Sequence, residues 1–318
     1  MKVTVVGAGG NVGATVVDAI AQRDYAKEIV AVDIEKKDGD KTFYPSKGRG
    51  LDLWESAPIH LFDTRIKGTV DYADTADSDV CVITAGVPRR PGMSRDDLLE
   101  INANIVRTVS KELVKYSPDT ILIVVSNPLD VMVQVAKEAS GLPYKKVMGM
   151  AGILDTARFR AFIAEELDVS PKDIQALLMG GHGDTMVPLP RFTTIAGMPI
   201  THFIKEDRLN EIVDRAKKGG GEIVGLMGTS AWYAPGAAAA QMVEAILLDQ
   251  NRIFPVCAHI DGEFGIDDLY IGVPVKLGKG GIKEVIEVEL NQKEQDLMKE
   301  SAKAVRGTLD EFNKLMNK

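Results

Sequence analysis

The chain has 318 residues, 45% of them hydrophobic, and a formal net charge of −8 from 38 basic and 46 acidic side chains. That length and apolar content suit a globular protein with two subdomains and exclude a disordered or fibrous one. The acidic balance argues against general binding to nucleic acid or anionic membranes, which need a positive footprint, so an anionic substrate must be held by locally placed arginines. From Lys2 the chain enters an apolar run at 3–6 without the charged and then apolar segments of a secretory signal, so no leader is expected, and no apolar run approaches membrane-spanning length. A cytoplasmic location is expected.

The run at 3–6 reads as a strand, and Gly7-Ala8-Gly9-Gly10-Asn11-Val12-Gly13 separates it from a helical pattern at 12–23. Glycines there permit a tight turn and let backbone N–H groups approach a pyrophosphate at the helix N-terminus. The spacing is either Gly-x-x-Gly-x-x-Gly or Gly-x-Gly-x-x-x-Gly, one residue longer than the simple dinucleotide fingerprint. Asp33, twenty residues beyond Gly13 at the end of a second strand at 29–32, supplies the other half of the signal. A carboxylate there can accept hydrogen bonds from an adenosine ribose and repels a 2′-phosphate, which favours NAD over NADP.

Residues 35–50 are polar and contain glycine, so they read as a solvated linker. Apolar runs at 80–84, 121–125 and 147–150, with helices at 95–116 and 129–140 between them, continue the βαβ rhythm. Continuous rather than alternating apolar character suits strands covered on both faces. The fold class is therefore α/β: a Rossmann-type doubly wound parallel sheet followed by an α+β catalytic domain, with a boundary near 145 that separates 1–145 from 146–318.

The segment from Gly86 to Asp97 holds Arg89, Arg90 and Arg95 in a loop rich in proline and glycine. Arg90 reads as a solvated surface residue. Arg89 and Arg95 follow the C-terminal edge of a strand, where doubly wound sheets bind ligands, and so are candidates for holding an anion.

Past 145 a helix is expected from about Asp155, a strand at 174–179, helices at 207–226 and 230–249, and strands near 253–260, 269–276 and 283–289. Asn291 and Glu294 have capping-box spacing before a closing amphipathic helix with Leu297, Val305, Leu309, Phe312 and Met316 on one stripe. Ala237–Ala240 reads as a helix-packing face. Cys81 and Cys257 lie in separate apolar stretches with neither disulfide-scaffold nor metal-site spacing; a reduced compartment and no bound metal are expected.

Of four histidines, His60, His202 and His259 have settings that suit structural or exposed roles. His182 sits in Gly180-Gly181-His182-Gly183-Asp184, where bare backbone leaves room for a ligand. It is a candidate proton-transfer group, against the alternative of a turn residue with a satisfied imidazole. Asp155 and Arg158 share a helical face. They form either an ordinary intrahelical ion pair or a division of labour in which Asp155 orients His182 and Arg158 binds a carboxylate.

Together these residues resemble the lactate/malate dehydrogenase family, and within it the malate-specific enzymes of the lactate-dehydrogenase-like type. The resemblance runs from Lys2 to the final helix. It rests on the glycine loop, Val125-Ser-Asn-Pro-Leu-Asp130, Leu154 to Arg160, Gly180 to Asp184 and Ile271-Gly-Val-Pro-Val-Lys276. It implies His182 as the proton acceptor, Asp155 as its partner, Arg158 on the substrate's C1 carboxylate, Arg95 polarising the reacting oxygen and Asn127 assisting substrate binding. Gly7, Gly9, Gly10, Asn11, Val12, Gly13, Asp33, Asn102, Val125 and Asn127 would serve NAD. Arg89 stands where lactate enzymes carry an uncharged residue, which implies a dicarboxylate. A homo-oligomer, a tetramer in preference to a dimer, is also implied.

The lengthened glycine loop and the enlarged 35–50 segment depart from the family pattern at the adenosine end; a tolerated surface insertion with a slightly different turn accounts for both. Two other functions remain open from sequence. One is a dehydrogenase for lactate or another 2-hydroxy acid, and the other is a nucleotide-binding sensor without turnover.

Overall fold

The computed structural model describes residues 1–88 and 95–316, with the backbone alone at residue 95. In the first half, β1 (Lys2–Val6), α1 (Asn11–Gln22) and β2 (Glu28–Val32) are followed by a hairpin of β3 (Lys36–Asp38) and β4 (Lys41–Phe43). Then come α2 (Pro45–Glu55), α3 (Ala57–His60), β5 (Arg65–Thr69), β6 (Val80–Ile83), α4 (Arg95–Tyr116), β7 (Ile121–Val124), α5 (Leu129–Ser140) and β8 (Val147–Gly149). In the second half come α6 (Gly152–Leu167), β9 (Ile174–Gln175), β10 (Leu178–Met179), β11 (Val187–Pro188), β12 (Thr194–Ile195) and β13 (Met198–Pro199). The chain ends with α7 (Glu206–Met227), α8 (Tyr233–Leu247), β14 (Arg252–Ile260), β15 (Leu269–Gly278), β16 (Gly281–Val285) and α9 (Gln292–Met316).

Among the described residues the main sheet runs β16-β15-β14-β8-β7-β6-β1-β2-β5. The six strands from β8 to β5 are parallel, with Val3 of β1 paired to Ile29 of β2 and to Val80 of β6. This is the doubly wound order, and its direction reverses between β1 and β6, where a ligand crevice opens at the carboxyl ends of the strands. β14, β15 and β16 continue the sheet antiparallel. The parallel strands are near-continuous runs of buried aliphatic residues because both faces are covered. On one face α1 and α8 share a core with Val3, Ile29, Val82 and Ile123. On the other, α4, α5 and α9 pack over Val6, Val30, Ile83 and Val124. A third cluster joins α6 and α7 over the small strands.

The linker reading of 35–50 is corrected. Those residues form the exposed β3–β4 hairpin and the opening of α2, which seats on the edge strand β5. The Ser46 hydroxyl donates to the Thr69 carbonyl at 2.9 Å. Gly68 is required for the contact, since a Cβ there would lie 2.3 Å from the Ser46 carbonyl oxygen. A polar composition hid a helix that buries little apart from small residues and is fixed by close backbone approach.

The expected strand at 174–179 is also corrected. It divides into β9, paired with β12, and β10, paired with β11, because the chain leaves one small sheet for a hairpin held under α6. There the Thr156 hydroxyl accepts the Leu178 N–H at 3.2 Å. The expected strand at 283–289 ends earlier, at Val285, and the helix expected from Asp155 starts one turn earlier, at Gly152. The capping box forms as read: the Glu294 N–H donates to Asn291 Oδ1 at 3.0 Å, and the Asn291 N–H donates to Glu294 Oε2 at 2.9 Å. Among the described residues no helix is long and apolar enough to cross a membrane, and Cys81 and Cys257 are buried and unpaired.

Candidate active site

The glycine loop closes the carboxyl end of β1. Gly7, at φ +87°, turns the chain, and a Cβ on it would lie 2.6 Å from the Thr84 hydroxyl oxygen. Gly9 lies so close to Asp33 that a Cβ would come within 2.7 Å of the carboxylate. Gly13 brings α1 back over the loop, where a Cβ would meet the Gly7 carbonyl oxygen at 2.4 Å. Gly10 is the N-cap and supplies no capping side chain, so the positive end of α1 faces the crevice with its first N–H groups uncapped by the protein. Asp33 is fixed at the end of β2 by the Gly9 and Ile34 N–H groups, each at 2.7 Å. A bare-backbone cradle under a helix N-terminus, with a carboxylate at one end, fits the pyrophosphate and ribose of a dinucleotide.

Sequence reasoning missed Arg49. From α2 it donates to Asn11 Oδ1 at 2.9 Å and so brings a cation beside the loop. Lying in the segment read as linker, it gave no sequence signal. Asn102, buried on α4, donates to the Asn127 carbonyl at 2.7 Å and the Val87 carbonyl at 3.2 Å, and accepts from the Val87 N–H at 2.8 Å. Both its amide hydrogens are committed, so it clamps the two loops that follow β6 and β7. Val125 is buried just beyond β7, while Asn127 is exposed at the crevice.

Across the crevice, His182 lies on the turn between β10 and β11. Its Nδ1 is 2.9 Å from Asp155 Oδ2, with Asp155 nearly fully buried in the first turn of α6. Asp155 Oδ1 is 3.4 Å from Arg158 Nη1, so one carboxylate bridges the imidazole and the guanidinium. Burial works against a cation at His182, but the carboxylates of Asp155 and Asp130 outweigh it and hold the imidazole above its ordinary value. With Nδ1 committed, Nε2 is the ring atom able to exchange a proton with a ligand.

Arg158 rests against α7 at the glycine run 219–221, where a Cβ at Gly219 would lie 3.2 Å from Arg158 Cδ. The structure thus brings His182, Asp155 and Arg158 together. The expected positions of Arg89 and of the Arg95 side chain lie outside the described residues. Among the described residues no cluster of metal-ligating side chains is present.

The loop carrying His182 is anchored by residues the sequence reading gave no role. Gly180 exchanges two backbone hydrogen bonds with Gly272 of β15, at 2.8 and 3.0 Å. The Gly181 N–H donates to the Ser301 hydroxyl of α9 at 2.8 Å. The His182 N–H donates to Asp130 of α5 at 3.2 Å. Gly272 and Asp130 fall within the resemblance motifs; nothing in the stripe of α9 distinguishes Ser301.

Residues 1–149 match the family model described as lactate/malate dehydrogenase, NAD binding domain, and residues 153–315 match lactate/malate dehydrogenase, alpha/beta C-terminal domain. The chain is 63% identical over 315 residues to a malate dehydrogenase of Salinibacter ruber, covering 99% of this chain and 98% of the relative. It is 58% identical over 311 residues to a malate dehydrogenase of Cytophaga hutchinsonii, covering 98% and 97%. A solved malate dehydrogenase structure from Salinibacter ruber superposes with a TM-score of 0.93 at 60% identity, over 100% of this chain and 99% of that one. Sequence, fold and the cradle for a dinucleotide agree: the chain belongs to the lactate/malate dehydrogenase family.

Proposed function

We propose that the chain is an NAD-dependent malate dehydrogenase, interconverting (S)-malate and oxaloacetate. The observation that carries this reading is the 2.9 Å pair of His182 and Asp155 beside Arg158, opposite a glycine cradle, in a chain so similar to malate dehydrogenases. Bound NAD+ supplies the acceptor for the hydride that leaves C2. His182 Nε2 takes the hydroxyl proton, and Asp155 holds Nδ1 and stabilises the imidazolium that results. In the reverse direction the imidazolium returns that proton to the reduced carbonyl oxygen.

Arg158 grips the C1 carboxylate, Arg95 polarises the reacting oxygen, and Asn127 assists at the substrate. Arg89 neutralises the second carboxylate and so selects a dicarboxylate over lactate or pyruvate. Gly7, Gly9, Gly10, Asn11, Val12 and Gly13 receive the pyrophosphate, Asp33 the ribose, and Val125 the remainder of the cofactor. Asn102 serves the cofactor through the loops it clamps. The cofactor half is 1–145 and the substrate half 146–318.

The same proposal includes a cytoplasmic location, a place in the tricarboxylic acid cycle and a homotetramer. The strongly exposed Leu51, Ile59 and Leu61 of α2, α3 and the residue after it support an interface between copies. Oxidation of NADH on adding oxaloacetate, compared with pyruvate, tests the reaction. Higher kcat/KM for pyruvate would make it a monocarboxylate enzyme, and NADH binding without oxidation by any 2-oxo acid would make it a sensor. Sedimentation at assay concentration tests the tetramer, and a monomer would overturn it.

A further inference from the structure

Asp130, the second residue of α5, has no part in the chemistry above, yet its carboxylate is turned towards the site. Oδ2 accepts the His182 N–H, and the buried carboxylate also meets the Cys257 thiol of β14. It borders a cavity of about 10 Å³, shared with Tyr270, Val305 and Leu309.

Three successive amides of the catalytic loop are held from three elements, and two of the acceptors, the Gly272 carbonyl and the Ser301 hydroxyl, are neutral. A neutral acceptor would hold the third amide equally well at less desolvation cost. A carboxylate stands there instead, at the residue whose ring moves the proton. Its place in the first turn of α5 puts it at the positive end of that helix, which favours its charge. Gly181 keeps the loop close: a Cβ there would lie 2.7 Å from Val305 Cγ2 and 3.5 Å from Asp130 Oδ2.

We infer that Asp130 is a positioning residue for the proton transfer, gripping the His182 main chain from α5 while Asp155 grips its ring. Through its charge it also raises the readiness of His182 to take a proton. The titratable groups around the Asp130 carboxylate are His182 on the loop, Asp155 on α6, Cys257 on β14 and Tyr270 on β15; α9 presents Val305 and Leu309. Burial, first of all, raises the carboxyl above its ordinary range, opposed chiefly by His182. Burial and then Asp130 push the Cys257 thiol up, so it stays neutral. Arg158 on α6 opposes the cation at His182.

The inference rests on His182 being the base, so wild-type malate oxidation and its loss in His182→Ala are measured first. Failure there strikes the reading of the site and leaves the two results distinguishable. Asp130→Asn keeps an oxygen for the His182 amide and removes the charge. We expect it to bind NADH and malate as the wild type does, while the acid limb of kcat for malate oxidation moves to lower pH by roughly half a unit to one unit. Asp130→Leu removes both functions and should lower kcat by about 10- to 100-fold with NADH affinity kept. Superimposable pH profiles for Asp130→Asn and wild type would overturn the inference, whether or not Asp130→Leu folds.

Discussion

His182 is useful as a base only if one nitrogen is held and the other is free to meet a hydroxyl, and the 2.9 Å contact of Nδ1 with Asp155 meets that need. Replacing His182 by alanine should lower turnover by about 10²–10⁴-fold while leaving NADH binding intact, as a fluorescence titration would check. Malate oxidation requires neutral imidazole, and His182 is held above its ordinary value, so oxidation should fall as pH drops through that raised value. Oxaloacetate reduction requires the cation and should fall as pH rises through it. Asp155→Asn removes the main support of the cation, so kcat should drop and the acid limb of oxidation should move to lower pH; a limb that stays or moves up contradicts the role. Arg89→Gln should cost about 2–5 kcal/mol of preference for oxaloacetate over pyruvate, read as the ratio of their kcat/KM values. An unchanged ratio would remove Arg89 from substrate selection.

At the scale of elements, α1 can face the crevice only because Gly13 lets it fold back on the glycine loop. Gly13→Ala places a Cβ 2.4 Å from the Gly7 carbonyl oxygen. It should cost about 1–3 kcal/mol of stability and weaken NADH binding, as thermal unfolding and NADH titration would show; unchanged values for both contradict the close-approach argument. Elements with strong apolar periodicity were legible in the sequence, with α4 and α5 lying where the pattern put them. The β5 edge strand and α2 were not, because Arg65–Thr69 alternates exposed and half-buried residues and α2 is seated by Ser46, Gly50 and Gly68. That His182, Asp155 and Arg158 meet was one of the readings that residue type and helical spacing left open, and the resemblance to the dehydrogenases pointed to it. Ser301 and Arg49 were not legible, since each acts through an approach between elements distant in sequence.

For the molecule as a whole, the sheet continues unbroken from parallel strands that end at the glycine cradle to antiparallel strands that anchor the His182 loop at Gly272. The glycine cradle and the His182 loop are thereby carried by a single framework. NADH at about 100 times its Kd should stabilise the fold by about 2.7 kcal/mol, visible as a higher Tm; no shift would contradict a preformed dinucleotide site. With a net charge of −8, the proposed capture of an anionic substrate falls to locally placed arginines. The central claim is that these arginines and His182 act on a dicarboxylate 2-oxo acid with NADH. Loss of NADH absorbance with oxaloacetate and with pyruvate, side by side on the purified chain, tests it most directly. The account predicts a kcat/KM for oxaloacetate about 30-fold or more above that for pyruvate. Equal or higher kcat/KM for pyruvate, or no loss of absorbance with oxaloacetate, would contradict it.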